Sequence, residues 1–580
     1  MESRRPWFPG WVTMALLLLV AFLVFSVSLR GPFQFDDNLF LRDPNVRSPN
    51  GWTRMHQAGW TRWLPWLTFY WNFRIAGDNP FWYHFVNSSL HLINIALVSA
   101  VVRASPVRFS PRYNSGATGR ASNPRPHPPE PDDLTPFSGG LFAISSGTVA
   151  AAVFAVHPLQ TEAVDYIYQR AVLLAAAFGF GSLYLFFRFL RGQRPAIALA
   201  IPLLALAILS KESALGLVPI FFMALASSRN SFKLHPYLIA AVAACILAML
   251  SLILRSHLYL FTETLVFWRY LSLFFYPRGL NIDHDVPLVT GLTLPVQLSM
   301  LAIGGLVCLF IALPERYRAL SFWFFSFLFL LLPTSSVIPA SDVMFEHRMY
   351  LPMLGLAGMA EGVCILLWKR FGLAPLIAGI LCFVFWSALS VFRNKVWLSE
   401  ISLWENAVEG SPEKYRPSYN LGTALLPVDP RRASRCFEKA LQLRPQSLAA
   451  WHNLGEARAR SGDDSGAIDA WERGLGFYPE SAILHRSLGA LYSRIRNFKQ
   501  ARQHLTVAMR TEPRSAATFY ELALLFFRFG MLHDAVLYGE RSLELDDRNA
   551  ETYLLMAALL DQQGNLSAAE RYRREAARRK

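Results

Sequence analysis

Before about residue 394 the chain is a succession of apolar runs separated by short polar stretches, and no water-soluble fold hides that much apolar surface. Hydrophobic residues make up 53% of 580 positions. In lipid the backbone must satisfy its own hydrogen bonds, so each run is read as a membrane-spanning helix. The candidate spans are Trp11 to Leu29, Phe81 to Val102, Gly140 to Val156, Ala171 to Leu190, Pro195 to Leu209, Ala214 to Ala226, Tyr237 to Leu254, Leu292 to Leu313, Leu320 to Leu332, Tyr350 to Trp368 and Leu373 to Phe392, about 11 in all. The pair between Pro195 and Ala226 is shorter than the roughly 17 residues a crossing normally needs. Leu258 to Phe275, interrupted by Glu263 and Arg269, reads as an interfacial amphipathic helix.

The formal charge of +15 raises the question of nucleic acid, but the basic excess lies largely in short loops between apolar runs, where membrane topology accounts for it. Trp11 to Leu29 follows Arg4 and Arg5 without a small-residue cleavage site, so it is expected to be retained with a cytoplasmic amino terminus. Even-numbered spans then end in basic loops. The loops holding Asp36-Asp37, His157 to Arg170, Arg255 to Pro287 and Thr334 to Arg348 fall on the opposite, external face. Residues 105–136, rich in Pro, Arg, Ser, Gly and Asn, read as a disordered cytoplasmic loop. Four of the five cysteines lie in apolar runs, and their spacing suggests neither a disulfide framework nor a metal site.

After Asn394 the texture changes to amphipathic helices with an internal period. Ala433, Ala467, Ala501, Ala535 and Ala569 follow one another at intervals of 34, as do Pro445, Pro479 and Pro513. That is the period of the tetratricopeptide repeat, so residues 395–580 are expected to form about five helix-turn-helix units stacked into a superhelix with a concave partner-binding face. The whole is an all-α chain: a polytopic membrane domain, 1–394, followed by repeats.

The adjacent carboxylates Asp36 and Asp37 stand just after the first span, where desolvating an acid is costly, and they are the leading catalytic candidates. A polar turn ending a helix is the plainer reading. On an extended backbone their side chains point oppositely, so one faces substrate and the other a structural partner.

Several segments together resemble the transmembrane and tetratricopeptide-repeat family of glycosyltransferases, members of the GT-C class. They are Phe35-Asp36-Asp37, Asn79 to Asn87 with His91, Ala155 to Val164, Ser210-Lys211-Glu212, Glu346 to Pro352, and Trp397 to Glu400 with Leu403-Trp404. The resemblance covers nearly the whole chain. It implies a polyprenyl-phosphate sugar donor, a protein hydroxyl as acceptor, inversion at the anomeric carbon, and an acid in the first external loop as general base. Eukaryotic members of that family resemble protein O-mannosyltransferases of the endoplasmic reticulum lumen. A bacterial relative would have its repeats outside the plasma membrane.

A leaving lipid phosphate needs fixed cations, and Arg170, Lys211, Arg255, Arg269, Arg278 and Arg348 are the candidates, with Lys211 and Arg348 preferred. A Lys211-Glu212 structural pair and a Glu346-Arg348 pair are the competing readings. His157 and Glu162, with Glu346 and His347, are expected to hold the acceptor or support the site. No cofactor is certain, though a divalent metal at Glu162 with Asp36 or Asp37 is an alternative. His84 and His91 are weaker candidates, as hydrogen-bonding histidines. Gln160 stands where relatives often carry His, and Gln169-Arg170-Ala171-Val172 lacks the acid that commonly follows. Trp52, Trp60, Trp63, Trp66, Tyr70 and Trp71, interleaved with Arg54, Arg62 and Arg74, read as an interfacial belt or a sugar-stacking surface. A non-catalytic envelope scaffold and an oligosaccharide ligase are the alternative functions.

Overall fold

The computed structural model describes residues 10–41, 43–57, 62–107, 146–228, 257–335 and 342–579. Among them every regular element is helical. The chain divides into two compact units, Met1–Gly410 and Ser411–Lys580.

In the first unit six helices are long and apolar enough to cross a bilayer: Gly10–Arg30, Pro80–Ala104, Ile167–Leu190, Leu294–Ala312, Glu315–Thr334 and Ala374–Val396. This is a membrane protein. Three shorter apolar helices, Ala196–Ser210, Glu212–Ser227 and Met353–Trp368, fall on three more of the expected spans. Of Gly140 to Val156 the described part is a helix at Thr148–Val156, whereas Tyr237 to Leu254 and nearly all of the 105–136 loop lie outside the described residues. Leu301, Ile311, Leu381 and Val384 stand outward on Leu294–Ala312 and Ala374–Val396. Lipid accommodates such surface and water does not.

Small residues set the helix spacing inside this unit. A side chain at Gly355 would collide with the backbone at Phe327, and one at Gly358 with the Trp323 ring, so Met353–Phe371 packs against Arg318–Ser335 at close range. His257–Phe275 is a helix as expected, with Tyr259, Glu263, Val266, Tyr270 and Leu273 buried at helical spacing. Its buried apolar residues join the main core of the unit rather than standing apart from it.

Helix Glu400–Gly410, expected with the repeats, belongs to the first unit. Its Trp404 meets Phe35 edge to face at 5.3 Å, Glu400 accepts from Asn38 Nδ2 at 2.8 Å, and the carbonyl of Ala407 accepts from Asn281 Nδ2 at 3.4 Å.

The second unit is five antiparallel helix pairs, whose first helices are Tyr415–Leu425, Leu448–Arg460, Ala482–Arg494, Ala516–Arg528 and Ala550–Gln562. The five alanines at 34-residue intervals are all fully buried on the second helices. Opposite them Gly422, Gly455 and Gly489 receive Phe437, Trp471 and Leu505. Ser447 and Asp463 cap their helices by accepting from Ala450 N and Gly466 N.

Crowding one of these alanine positions has a definite expected cost. Ala501→Leu should destabilise the repeats by about 1–3 kcal/mol, read by denaturant unfolding of the full chain in detergent. Exposed Arg502→Leu should change stability by less than about 0.5 kcal/mol.

Candidate functional site

The chain leaves its first helix through Gly31 and turns at Phe35, whose φ of 48° puts a bulky residue in the left-handed region. That conformation costs roughly 1–2 kcal/mol and persists only where neighbours hold it. They do so here. Asp37 is fully buried, its Oδ2 accepting from Gln34 N at 3.1 Å and its Oδ1 from Tyr168 N at 2.7 Å. Gln34 Nε2 donates to the carbonyl of Trp397 at 2.9 Å, and Asp36 N to the Tyr166 hydroxyl at 3.2 Å. Tyr166 in turn stacks on Trp397 at 5.7 Å. Burial pushes the Asp37 carboxyl up to about 8, against the pull of its two backbone N–H donors. Asp36 starts the short helix Asp36–Leu41 and is half-buried. The two acids therefore diverge: one is locked into the loop framework, the other lies nearer the surface.

The segment from Tyr166 to Arg170 links this turn to the cationic groups. Two residues beyond Asp37's partner Tyr168, Arg170 is fully buried. Its Nε donates to Asn87 Oδ1 at 2.9 Å, and its Nη2 to Asn72 Oδ1 at 2.9 Å and the carbonyl of Tyr83 at 3.1 Å. Its guanidinium lies 4.3 Å from the Phe69 ring centroid. Arg170 was expected at the donor phosphate. Enclosed by partners on two helices, it instead locks Trp63–Ala76 onto Pro80–Ala104.

Between those two residues Gln169 accepts from Lys211 Nζ at 3.3 Å. Lys211 is 6% exposed, and among the described residues this neutral amide is its hydrogen-bond partner. The competing pair with Glu212 does not form, because Glu212 is taken by Arg62 through two contacts, at 2.6 and 3.3 Å. Burial, then the charge of Arg62, brings the Lys211 ammonium down to about 7.

Arg348 is also committed. Nη1 donates to the carbonyl of Val343 at 2.5 Å and approaches Glu263 at 3.4 Å, while Nη2 donates to the carbonyl of Asp342 at 2.8 Å. The acid that occupies it is Glu263, the charge interrupting an apolar run, rather than Glu346. Arg269 and Arg278 are exposed, and Arg255 lies outside the described residues.

The remaining candidates form a buried brace. Glu162 Oε1 meets His347 Nδ1 at 2.6 Å, and its Oε2 accepts from His347 N at 3.2 Å. Burial raises Glu162 to about 8, helped by the nearby Glu346, and pushes the imidazole of His347 well down, so this pair resists charging. Glu346 accepts from Asn281 N, lies 3.1 Å from His284 Nε2 and faces Arg393 at 3.7 Å. His157 uses both ring nitrogens, Nε2–H to the carbonyl of Phe274 at 2.8 Å and Nδ1 from Leu159 N at 3.2 Å, and His91 bridges the Tyr350 hydroxyl and the carbonyl of Ala155. His157 and His91 fasten the framework. Among the described residues no three His, Cys, Asp or Glu side chains converge as metal ligands would.

The aromatic stretch divides by face: Trp66 is buried and stacks with Tyr70 at 5.7 Å, while Trp63 and Trp71 are exposed. Trp60 lies outside the described residues.

Comparison with known proteins bears on both units. The chain is 32% identical over 93 residues to a tetratricopeptide-repeat-containing protein of Pseudomonas aeruginosa, a match taking in 16% of this chain and 74% of that one. The chain belongs to the tetratricopeptide-repeat proteins. It is also 26% identical over 309 residues to a protein O-mannosyl-transferase of Caenorhabditis elegans, covering 48% of this chain and 42% of that relative's length. Each match covers part of this chain, which spans less than half the length of the O-mannosyl-transferase relative. Similar solved structures include MamA from Desulfovibrio magneticus (17% identity, 28% of this chain, 94% of that chain, TM-score 0.26) and pilF of Pseudomonas aeruginosa (22%, 30%, 78%, 0.27). No family model matches the chain.

In this repeat protein, sequence reasoning passed over Arg62, Tyr166, Tyr168, Glu263 and Gln169 as working parts of the site. Glu263 and Arg62 carried a signal, being charges set among apolar and aromatic residues. Two substitutions separate framework from site. Arg170→Met leaves Asn87 and Asn72 without their donors and should lower stability by about 3 kcal/mol or more. Lys211→Met removes a costly buried ammonium and should leave the melting temperature unchanged or raised. Thermal unfolding of the full chain in detergent measures both.

Proposed function

We propose that the chain is a multi-pass membrane glycosyltransferase that moves a mannose-like sugar from a polyprenyl-phosphate donor to a protein Ser or Thr hydroxyl on the non-cytoplasmic face. The observation carrying this reading is Lys211: a buried ammonium whose hydrogen-bond partner is a neutral amide, next in sequence to the residue that holds Asp37. A buried cation without a carboxylate is costly unless an anion arrives. A phosphate is such an anion, and the similarity to a protein O-mannosyl-transferase favours one carrying a sugar.

In this reading Asp36 is the general base. Asp37, fully buried with both oxygens bonded to backbone N–H groups, is its positioning residue. The acceptor oxygen attacks the anomeric carbon as its proton passes to the Asp36 carboxylate. The bond from that carbon to the phosphate oxygen breaks, the electron pair leaves with the polyprenyl phosphate, and configuration inverts. Lys211 stabilises the charge gathering on the leaving phosphate. Glu162, His347 and Glu346 hold the loop that carries Arg348, and the repeats present the acceptor protein. The compartment is the periplasmic side of a bacterial inner membrane or the endoplasmic reticulum lumen.

Transfer by the purified full-length protein, with a polyprenyl-phosphate sugar and a Ser/Thr-containing peptide, tests the base. Asp36→Asn should lower kcat by about 10²–10⁴ while expression in the membrane stays unchanged, and undiminished transfer would exclude that role.

The lysine supplies a pH signature. Lys211 is charged below about 7 and neutral above, so kcat/KM for the donor should fall as pH rises through 7. Lys211→Arg, which stays charged, should abolish that fall. A profile shared by both proteins would count against phosphate binding there.

A further inference from the structure

Arg62 and Glu212 come from segments 150 positions apart and meet as a fork on a carboxylate, with Nη2 at 2.6 Å from Oε1 and Nε at 3.3 Å from Oε2. A planar guanidinium presents the same fork to phosphate as to carboxylate. Both side chains are partly exposed, 29% and 45%, and an ion pair so placed holds weakly and exchanges readily. Its position is the informative part. Glu212 directly follows Lys211 in sequence, and the charge of Arg62 reaches the Lys211 ammonium strongly enough to oppose its protonation. The charges of Arg62 and Glu212 thus both reach Lys211, while the Glu212 carboxylate bonds directly to Arg62 and Lys211 bonds to Gln169.

We propose that Arg62 is a further ligand of the donor phosphate and that Glu212 holds it in reserve, its carboxylate occupying the guanidinium until the phosphate displaces it. This rests on the reading of Lys211 as the phosphate's primary partner. The exchange is favourable because the phosphate has oxygens enough to engage Lys211 and Arg62 together, which Glu212 does not do, and because further charge gathers on it as the sugar leaves. Arg348 cannot replace Arg62 in this role: Glu263 and two backbone carbonyls already hold it inside the protein. Glu212 consequently sets the donor affinity. It lowers the electrostatic cost of the empty site and competes with the ligand that fills it.

The test is equilibrium binding of a short-chain polyprenyl monophosphate to the full-length protein in detergent, with melting recorded for every variant. Glu212→Gln frees Arg62 and should tighten binding about tenfold. Arg62→Ala should weaken it about tenfold, Arg62→Lys should weaken it less, and the double variant Arg62→Ala with Glu212→Gln should bind as Arg62→Ala does. Unchanged or weaker binding by Glu212→Gln, or a gain that survives in the double variant, overturns the proposal. Binding that is lost in Lys211→Met yet indifferent to Arg62→Ala overturns this proposal and leaves the donor reading standing. Wild-type protein that binds no polyprenyl monophosphate overturns both.

Discussion

The contact from Tyr168 N–H to the fully buried Asp37 carboxyl, at 2.7 Å, is the one on which the rest of this site depends. It fastens the loop after the first helix to the segment Tyr166–Arg170. That segment then distributes constraint in three directions: Tyr166 to the backbone of Asp36, Gln169 to Lys211, and Arg170 to Asn72 and Asn87. A strained residue at Phe35 and a half-buried acid at Asp36 are tolerable because this short stretch holds both from below. Loops at the rim of an apolar interior have little hydrophobic energy of their own, so buried hydrogen bonds to charged groups do the fixing.

Burying charge imposes a rule that sorts the candidate residues. Each ionised group must find a partner or its burial destabilises the fold. Arg170 finds amides and a carbonyl, and Arg348 finds Glu263 and two carbonyls, while Glu162 and His347 pair in a way that resists charging. Lys211 finds one amide oxygen. A group left short of partners in this way, beside a well-braced acid turn, marks where the structure departs from maximal stability. The proposed donor phosphate pairs with that ammonium.

Much of the architecture is legible in the sequence, because it rests on local periodicity. The 34-residue recurrence of small residues specified the helix pairs, since a packing position that admits only alanine must recur wherever the same two helices cross. Apolar runs located the long helices for the same reason. Pairings across 85 to 185 positions were not legible: Glu212 with Arg62 rather than Lys211, Glu263 rather than Glu346 with Arg348, and Glu162 with His347. Chain neighbours dominate a sequence reading, and here the neighbouring acid is in two cases turned away from the cation it was matched to. Helix Glu400–Gly410 shows the same limit. Its amphipathic pattern reads like the repeats that follow, yet Trp404 and Glu400 pack on the Phe35 to Asn38 turn.

The central claim is that Lys211 binds the donor's phosphate. A cryo-electron microscopy structure of the full-length protein in lipid nanodiscs with a polyprenyl monophosphate tests it most directly. The expected density has phosphate oxygens within about 3 Å of Lys211 Nζ. A phosphate seated elsewhere, with Lys211 still bonded only to Gln169, would contradict the claim.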